Sequence, residues 1–490
     1  MQRRTFLAGS LLAAWRPRLM GAGEKAITVI VDVDRRMGVI AADFIGLGYE
    51  VSSVAIPGLL SASNATYVQL VRNLSREGVI RVGGNTSDDA SYGPDKRAVS
   101  APQGTVVNDA TLRQLGTFLK VTNWQLIWGL NLGSGDERQV AAEAESVARA
   151  ASDRLLAFEI GNEPDLFGRG TGHRAKSYGY DDYLEEFRRY KAVIRAKLPR
   201  ACFAGPDAAS ETDWVLRFAK DEGSDIKLLT HHYYRQCAGP TSTLEKLLGR
   251  DPKLAPELDK LRLASSTVHV PYRICEVNSF CGGGKEGVSD SFGAALWVLD
   301  YLFQLASAGC AGVNIETGVN QLGFVSWYSP IRQNEAGTLE AAPEYYGMLA
   351  FAEASRGTLL GVNCDAAGAN LNTYAVVAAD RSLFVTIVNK EATLDASVNL
   401  MLPRNVREGQ VLRLMAPSLQ ARAGVIFGGS AVSKDGTWRP TSSEPVVANN
   451  GRATIRVPAG SAAVVKWPGS RFDVKSQAVA VRALSAFARE

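Results

Sequence analysis

Ala157-Phe158-Glu159-Ile160-Gly161-Asn162-Glu163-Pro164-Asp165 is the stretch whose reading decides the rest of the chain. Leu155, Leu156, Ala157, Phe158 and Ile160 make a nearly continuous apolar run, as a strand buried on both faces requires. Pro164 has no N–H to give a ladder and restricts the residue before it to extended backbone. Glu163 is therefore expected in an extended conformation where a buried strand stops, its carboxylate projecting over the strand end. The Asn162 amide beside it can donate and accept hydrogen bonds. A carboxyl group held in this way suits proton transfer. The plainer use of such a Glu is to cap a helix or pair with a surface Arg.

Outward from this strand, strand-like and helix-like segments alternate. Strands are expected at 44–51, 79–82, 125–130, 202–205, 226–229, 272–277 and 313–315. Helices are expected at 65–74, 112–121, 137–151, 183–198, 214–220, 294–308 and 345–354, with a helical stretch broken by Pro252 and Pro256. Strict alternation predicts a parallel sheet with crossover helices. Eight such pairs close into a (β/α)8 TIM barrel over 41–356, an α/β fold; an open doubly wound sheet is the alternative. Polar residues recur at the carboxyl ends of six strands: Glu50, Asn85, Asn131, Glu163, Tyr233 and Glu276. That end is where barrels build their active sites, and this favours the barrel.

From 357 to 470 the pattern changes to short strands separated by Gly-rich turns, the mark of an antiparallel β-sandwich. The β-branched strand within 24–40 precedes the barrel and is expected to join that sandwich. The tail 471–490 is Ala-rich with Arg at intervals and is assigned no fold. At the start, Arg3-Arg4 ahead of a short apolar run and small residues up to 23 resembles a twin-arginine export signal, which predicts a periplasmic or secreted protein. Arg16, Pro17 and Arg18 interrupt that pattern, and a frayed terminus is the other reading.

The chain has 490 residues, 46% hydrophobic and 21% charged, with a net charge of +4. That is ordinary globular composition without the basic footprint of a nucleic-acid binder. No other apolar run is long enough to span a membrane. The six cysteines form no Cys-x-x-Cys pair and only four histidines occur, so neither a metal nor a cofactor is expected. Cys275 and Cys281 are close enough in sequence to bridge across a loop, although sequence does not settle the connectivity. His231 and His232 point opposite ways on a strand, so at most one faces the barrel mouth.

Glu163 ends strand four and Glu276 lies on strand seven, on roughly opposite sides of a barrel mouth. Two carboxyl groups across one pocket are what glycoside hydrolysis needs: one protonates the leaving oxygen, the other attacks the anomeric carbon or activates water. Glu276 could instead be a buried structural ion-pair member, although Arg273, three positions away, faces the other side. Phe158 to Asp165, together with Cys275-Glu276-Val277-Asn278-Ser279-Phe280 and Gly282-Gly283-Gly284, resembles glycoside hydrolase family 79, which includes β-glucuronidases and heparanase-like enzymes. The resemblance spans roughly 26–468. It implies Glu163 as acid/base, Glu276 as nucleophile, retention of configuration, Asn162 on the sugar 2-hydroxyl and Tyr328 on a uronate carboxylate. It also implies a β-glucuronide or other uronic-acid glycan as substrate.

Beside that resemblance, Tyr233 is a candidate hydrogen-bond donor to Glu276, and Glu50 a candidate acceptor for sugar hydroxyls. Arg332 and backbone amides near Tyr328 are further candidates for a carboxylate. The triple-glycine loop has no Gly-Lys-Ser/Thr ending, so it reads as a mobile loop over the pocket and not as a phosphate cradle. An endo-acting hydrolase of uronic-acid polysaccharides and a non-catalytic carbohydrate-binding barrel are the competing readings.

Overall fold

The computed structural model describes residues 25–318, 326–334 and 337–469. The proposed export signal, the tail 471–490 and part of the loop after the eighth barrel strand lie outside the described residues. Eight parallel strands form the barrel: β1 (Ile45–Glu50), β2 (Val79–Gly83), β3 (Gln125–Leu130), β4 (Leu155–Ile160), β5 (Ala204–Ala208), β6 (Leu228–Tyr233), β7 (Tyr272–Val277) and β8 (Gly312–Glu316). Their hydrogen-bonded order is β4-β3-β2-β1-β8-β7-β6-β5. A parallel bridge between Phe158 and Phe203, with Phe158 N–H donating to the Cys202 carbonyl at 2.9 Å, draws β4 and β5 together and nearly closes the ring.

β5 and β6 lie further along the chain than the apolar pattern predicts. Both carry polar residues inside the strand, at Asp207 and at Thr230 to His232. The upper half of the barrel interior is polar, so hydrophobicity fades before the strand ends. The amphipathic helices Ala65–Leu74, Asp109–Thr122 and Glu137–Ala151 bury one face against the strands. Pro256 does not break its helix. It lies in the first turn of Leu254–Val268, where an N–H has no intrahelical acceptor to lose.

The other domain is one ten-stranded sheet curled around its own apolar core, which includes Val385, Val398, Ile455 and Trp467. The N-terminal strand Lys25–Val39 joins it, antiparallel to Thr358–Asp365 and parallel to Ala396–Met401. The helices Phe292–Ser307 and Pro343–Ala354 are apolar almost all round because they are covered twice, by each other and by this sheet. Among the described residues no helix is long and apolar enough to cross a membrane.

One buried acid in the helical shell makes the cost of its charge measurable. Glu143 is 4% exposed, accepts a hydrogen bond from Trp128 Nε1 at 2.9 Å, and is pushed up to about 7 by burial. The folded chain accepts the protonated form, so its stabilising contribution is complete below the ordinary glutamate range and is lost as pH rises toward 7. Glu143→Gln keeps the acceptor and removes the ionisation. The variant should be more stable than the parent at pH 8 by on the order of 2–3 kcal/mol, with the difference closing as pH is lowered to 5. Coincident unfolding curves at pH 8 would contradict this.

Candidate active site

The carboxyl ends of the strands enclose a polar floor centred on Arg81 of β2, which is fully buried. Its Nε donates to Glu159 Oε2 at 3.2 Å and its Nη1 to Glu276 Oε2 at 2.8 Å. Its Nη2 donates to Asn162 Oδ1 at 2.8 Å and to Asp207 Oδ2 at 2.5 Å. One guanidinium thus ties β2 to β4, β5 and β7. His232 of β6 completes the floor, with Nδ1 3.0 Å from Glu163 Oε1 and Nε2 2.9 Å from Asp207 Oδ1. Glu163 and Glu276 are the least covered of these acids, with side chains 16% and 14% exposed. Carboxylate oxygens of the two residues lie within 4.8 Å of one another.

Glu163 is not extended. Its φ is 51° and ψ 49°, in the left-handed region, and Pro164 begins a short 3₁₀ turn. The strain is held by hydrogen bonds. Glu163 N–H donates to the Asp207 carbonyl at 3.1 Å, and its own carbonyl accepts from Leu166 N–H at 2.9 Å. Asp207 is left-handed as well, with φ 59°. Asp165 then accepts from the N–H groups of Ala209, Ser210 and Glu211, binding the two strand ends into one unit. Asp88 steadies the other side, accepting from the N–H groups of Leu132, Gly133 and Asn162; burial pushes its carboxyl up to about 8.

Charge on this floor follows from the partners. Burial opposes ionisation of Asp207, but Arg81 and His232 outweigh it and hold the carboxyl far below its usual range. Burial likewise opposes a charge on His232, and Asp207, then Glu276, hold the imidazole well above its usual range. Glu159 is pushed up to about 7, first by burial and then by Asp207. Glu316 of β8 is raised further, by burial and then by Glu276 and Glu50; neither of its oxygens has a hydrogen-bond partner. Arg81 and His232 thus supply positive charge beside Asp207, while burial and neighbouring carboxylates work against a charge on Glu159 and Glu316.

Of the other expected site residues, Asn162 sits in the floor, and beyond its contact with Arg81 its Nδ2 makes only a 3.4 Å contact with Asn85. Glu50 accepts from Asn85 N–H, Thr86 N–H and Thr86 Oγ1, and is pushed up to about 7 by burial and then by Glu276. Gly84, at φ 73°, leaves it room: a Cβ there would meet the Glu50 carboxylate at 2.4 Å. Tyr328 is buried and stacks on Tyr234, with ring centroids 6.5 Å apart. Tyr233 is not the donor to Glu276. Strand alternation turns it out of the barrel, where its hydroxyl donates to Asp251 at 2.7 Å, and Tyr234 donates to Glu276 Oε1 at 3.1 Å in its place. His231 faces away from the floor, 4.0 Å from Glu257. Arg332 donates to Glu340 at 2.8 Å.

Cys281 bridges to Cys237 and not to Cys275, which is a buried free thiol. The bridge fastens the loop after β7 to the loop after β6, and Trp327 N–H donates to the Gly283 carbonyl at 2.7 Å, so the glycine loop is tied down at Cys281 and at Gly283. Among the described residues two groups have metal-like ligand spacing: Glu163, His232 and Glu276, and Glu159, Asp207 and Cys275. The first has both imidazole nitrogens already facing carboxylates. The second has Arg81 supplying its positive charge.

Arg81, Asp207, Tyr234 and Glu316 were not picked out from sequence. An Arg inside the buried run Val79-Ile80-Arg81-Val82 was the readable signal, because an unpaired charge there is too costly to keep. Arg81→Met removes the guanidinium from Glu276, Glu159 and Asp207 and leaves only His232 facing Asp207. It should lower stability by about 3–5 kcal/mol in denaturant unfolding, and an unchanged midpoint would contradict the arrangement.

Comparison with known proteins places the chain among glycoside hydrolases of this fold. A family model for the glycosyl hydrolase family 79 C-terminal beta domain matches residues 373–464. A beta-glucuronidase of Aspergillus niger is 28% identical over 477 residues, covering 83% of this chain and 87% of the relative. A beta-glucuronidase of Neurospora crassa is 29% identical over 314 residues, covering 56% and 55%. The crystal structure of a 4-O-α-L-rhamnosyl-β-D-glucuronidase from Fusarium oxysporum superposes with a TM-score of 0.72 at 19% identity, covering 89% of this chain and 99% of that one. An α-L-arabinofuranosidase from Thermotoga maritima gives 0.67 at 15% identity, over 90% and 100%. These two likenesses speak for the fold.

Proposed function

The chain belongs to glycoside hydrolase family 79, and from that premise we propose that it releases terminal β-linked glucuronic acid with retention of configuration. The observation that carries the mechanism is the approach of the Glu163 and Glu276 oxygens to within 4.8 Å. A separation of about 5–5.5 Å suits double displacement, whereas inversion needs about 6.5–9.5 Å to admit a water between the carboxyls.

Glu276 is the nucleophile. Arg81 and Tyr234 both donate to it, fixing its oxygens for attack. Glu163 is the acid/base. His232 Nδ1 lies 3.0 Å from its Oε1, and Asp207 on the other ring nitrogen orients the imidazole. Glu163 protonates the glycosidic oxygen as Glu276 attacks the anomeric carbon. When Glu276 is esterified its charge disappears, and Glu163 then takes a proton from the water that cleaves the ester. In this reading Asn162 Nδ2 donates to the sugar 2-hydroxyl, and Glu50 accepts from a hydroxyl. Tyr328 and neighbouring backbone amides are the donors for the uronate carboxylate. The Cys237–Cys281 bridge suits an exported protein, in keeping with the twin-arginine-like start.

The test is hydrolysis of aryl β-glucuronide, glucoside, xyloside and galactoside by the parent, Glu276→Ala and Glu163→Ala. The glucuronide should be preferred. Glu276→Ala should lose turnover on every substrate by about 10⁴-fold or more. Glu163→Ala should lose about 10²–10⁴-fold on substrates with poor leaving groups and much less where the phenol leaves without protonation. Unchanged turnover in Glu276→Ala would remove that residue from the mechanism.

A further inference from the structure

A cavity of about 770 Å³ lies between the barrel wall and the curled sheet, behind β6 and β7. Neither Glu163 nor Glu276 lines it. One wall is a ladder of near-parallel rings. Tyr233 and Tyr301 have centroids 6.3 Å apart at 21°, and Tyr301 and Trp297 5.2 Å apart at 24°. Trp297 is half-buried. The opposite wall belongs to the sheet, where Lys390 pairs with Asp300 at 2.6 Å and Asn372 donates to the same carboxylate at 2.7 Å.

The chemistry of the lining narrows the occupant. Its cations, Arg235, Arg250 and Lys390, are matched one for one by Asp251, Asp300 and Glu391, so a charged ligand would upset a balanced wall. A purely apolar ligand fails as well. Tyr301 is 3% exposed and its hydroxyl has no hydrogen-bond partner, although a buried hydroxyl is costly to leave unmet. A neutral sugar ring meets both conditions, with a face of C–H groups to lie on aromatic rings and a rim of hydroxyls to accept from a phenol. Cavities of roughly 300–1,000 Å³ hold ligands of disaccharide size.

We propose that this cavity is a second, non-catalytic site for a neutral carbohydrate unit, packed against the Tyr233–Tyr301–Trp297 ladder and hydrogen-bonded by the Tyr301 hydroxyl. The site touches the reaction centre through the backbone: Tyr233 stands between His232 and Tyr234, whose side chains contact Glu163 and Glu276. A glycan carrying a glucuronosyl end on neutral sugars supplies both kinds of ligand.

Cellobiose titrated into the full chain by calorimetry tests this, with Tyr301→Phe and Trp297→Ala as variants. The parent should show saturable binding. Each variant should weaken it about tenfold, the scale of one aromatic contact or one buried hydrogen bond, while turnover of an aryl β-glucuronide stays within about threefold of the parent. Tyr301→Phe removes only an unpartnered hydroxyl and keeps the ladder, so it remains informative if Trp297→Ala unfolds. No saturable binding to the parent, or equal affinity in parent and Tyr301→Phe, would overturn the proposal.

Discussion

The guanidinium of Arg81 is the constraint on which the polar floor of the barrel depends. It has no solvent to lean on, and its hydrogen bonds reach Glu159, Asn162, Asp207 and Glu276 from three other strands. A buried cation of this kind is stable only if its anions are fixed in place. That requirement positions Glu276 and, through Asp207 and His232, also Glu163. The same contacts that neutralise the floor therefore set the spacing of the Glu163 and Glu276 carboxyls. Their backbone supports are strained to match: Glu163 and Asp207 are both left-handed, and each is held by the other strand's turn.

The curled sheet serves this barrel from outside. Two helices that are apolar on nearly every side could not stand in water, and the sheet supplies their second cover. The N-terminal strand crosses into that sheet before the barrel begins. The two parts share an interface, where Lys390 and Asp300 form a buried ion pair and the aromatic ladder lines its cavity.

Much of this was readable from residues alone, for definable reasons. Barrel strands and helices announce themselves through hydrophobic period, and Gln125–Leu130, Glu137–Ala151 and Tyr272–Val277 fall where that period puts them. Asn162-Glu163-Pro164 and Glu276 stood out because carboxylates at the ends of buried strands are rare. What sequence hid was tertiary. Pro164 argues for an extended Glu163, yet the hydrogen bond to the Asp207 carbonyl, from a segment more than forty residues away, wins over that local preference. Strand alternation separates Tyr233 from Tyr234, but which of them faces inward depends on how far β6 extends, and its polar end concealed that. Cys281 had several possible partners, and only the meeting of the β6 and β7 loops selects Cys237.

The stereochemistry of the first product tests the account most directly. Proton NMR should follow the anomeric signals of glucuronic acid released from an aryl β-glucuronide before mutarotation. Carboxyls within 4.8 Å, held by Arg81 and His232, predict that the β-anomer appears first and the α-anomer grows in slowly. Initial release of the α-anomer would mean a water between the two acids, and would contradict the arrangement on which the account rests.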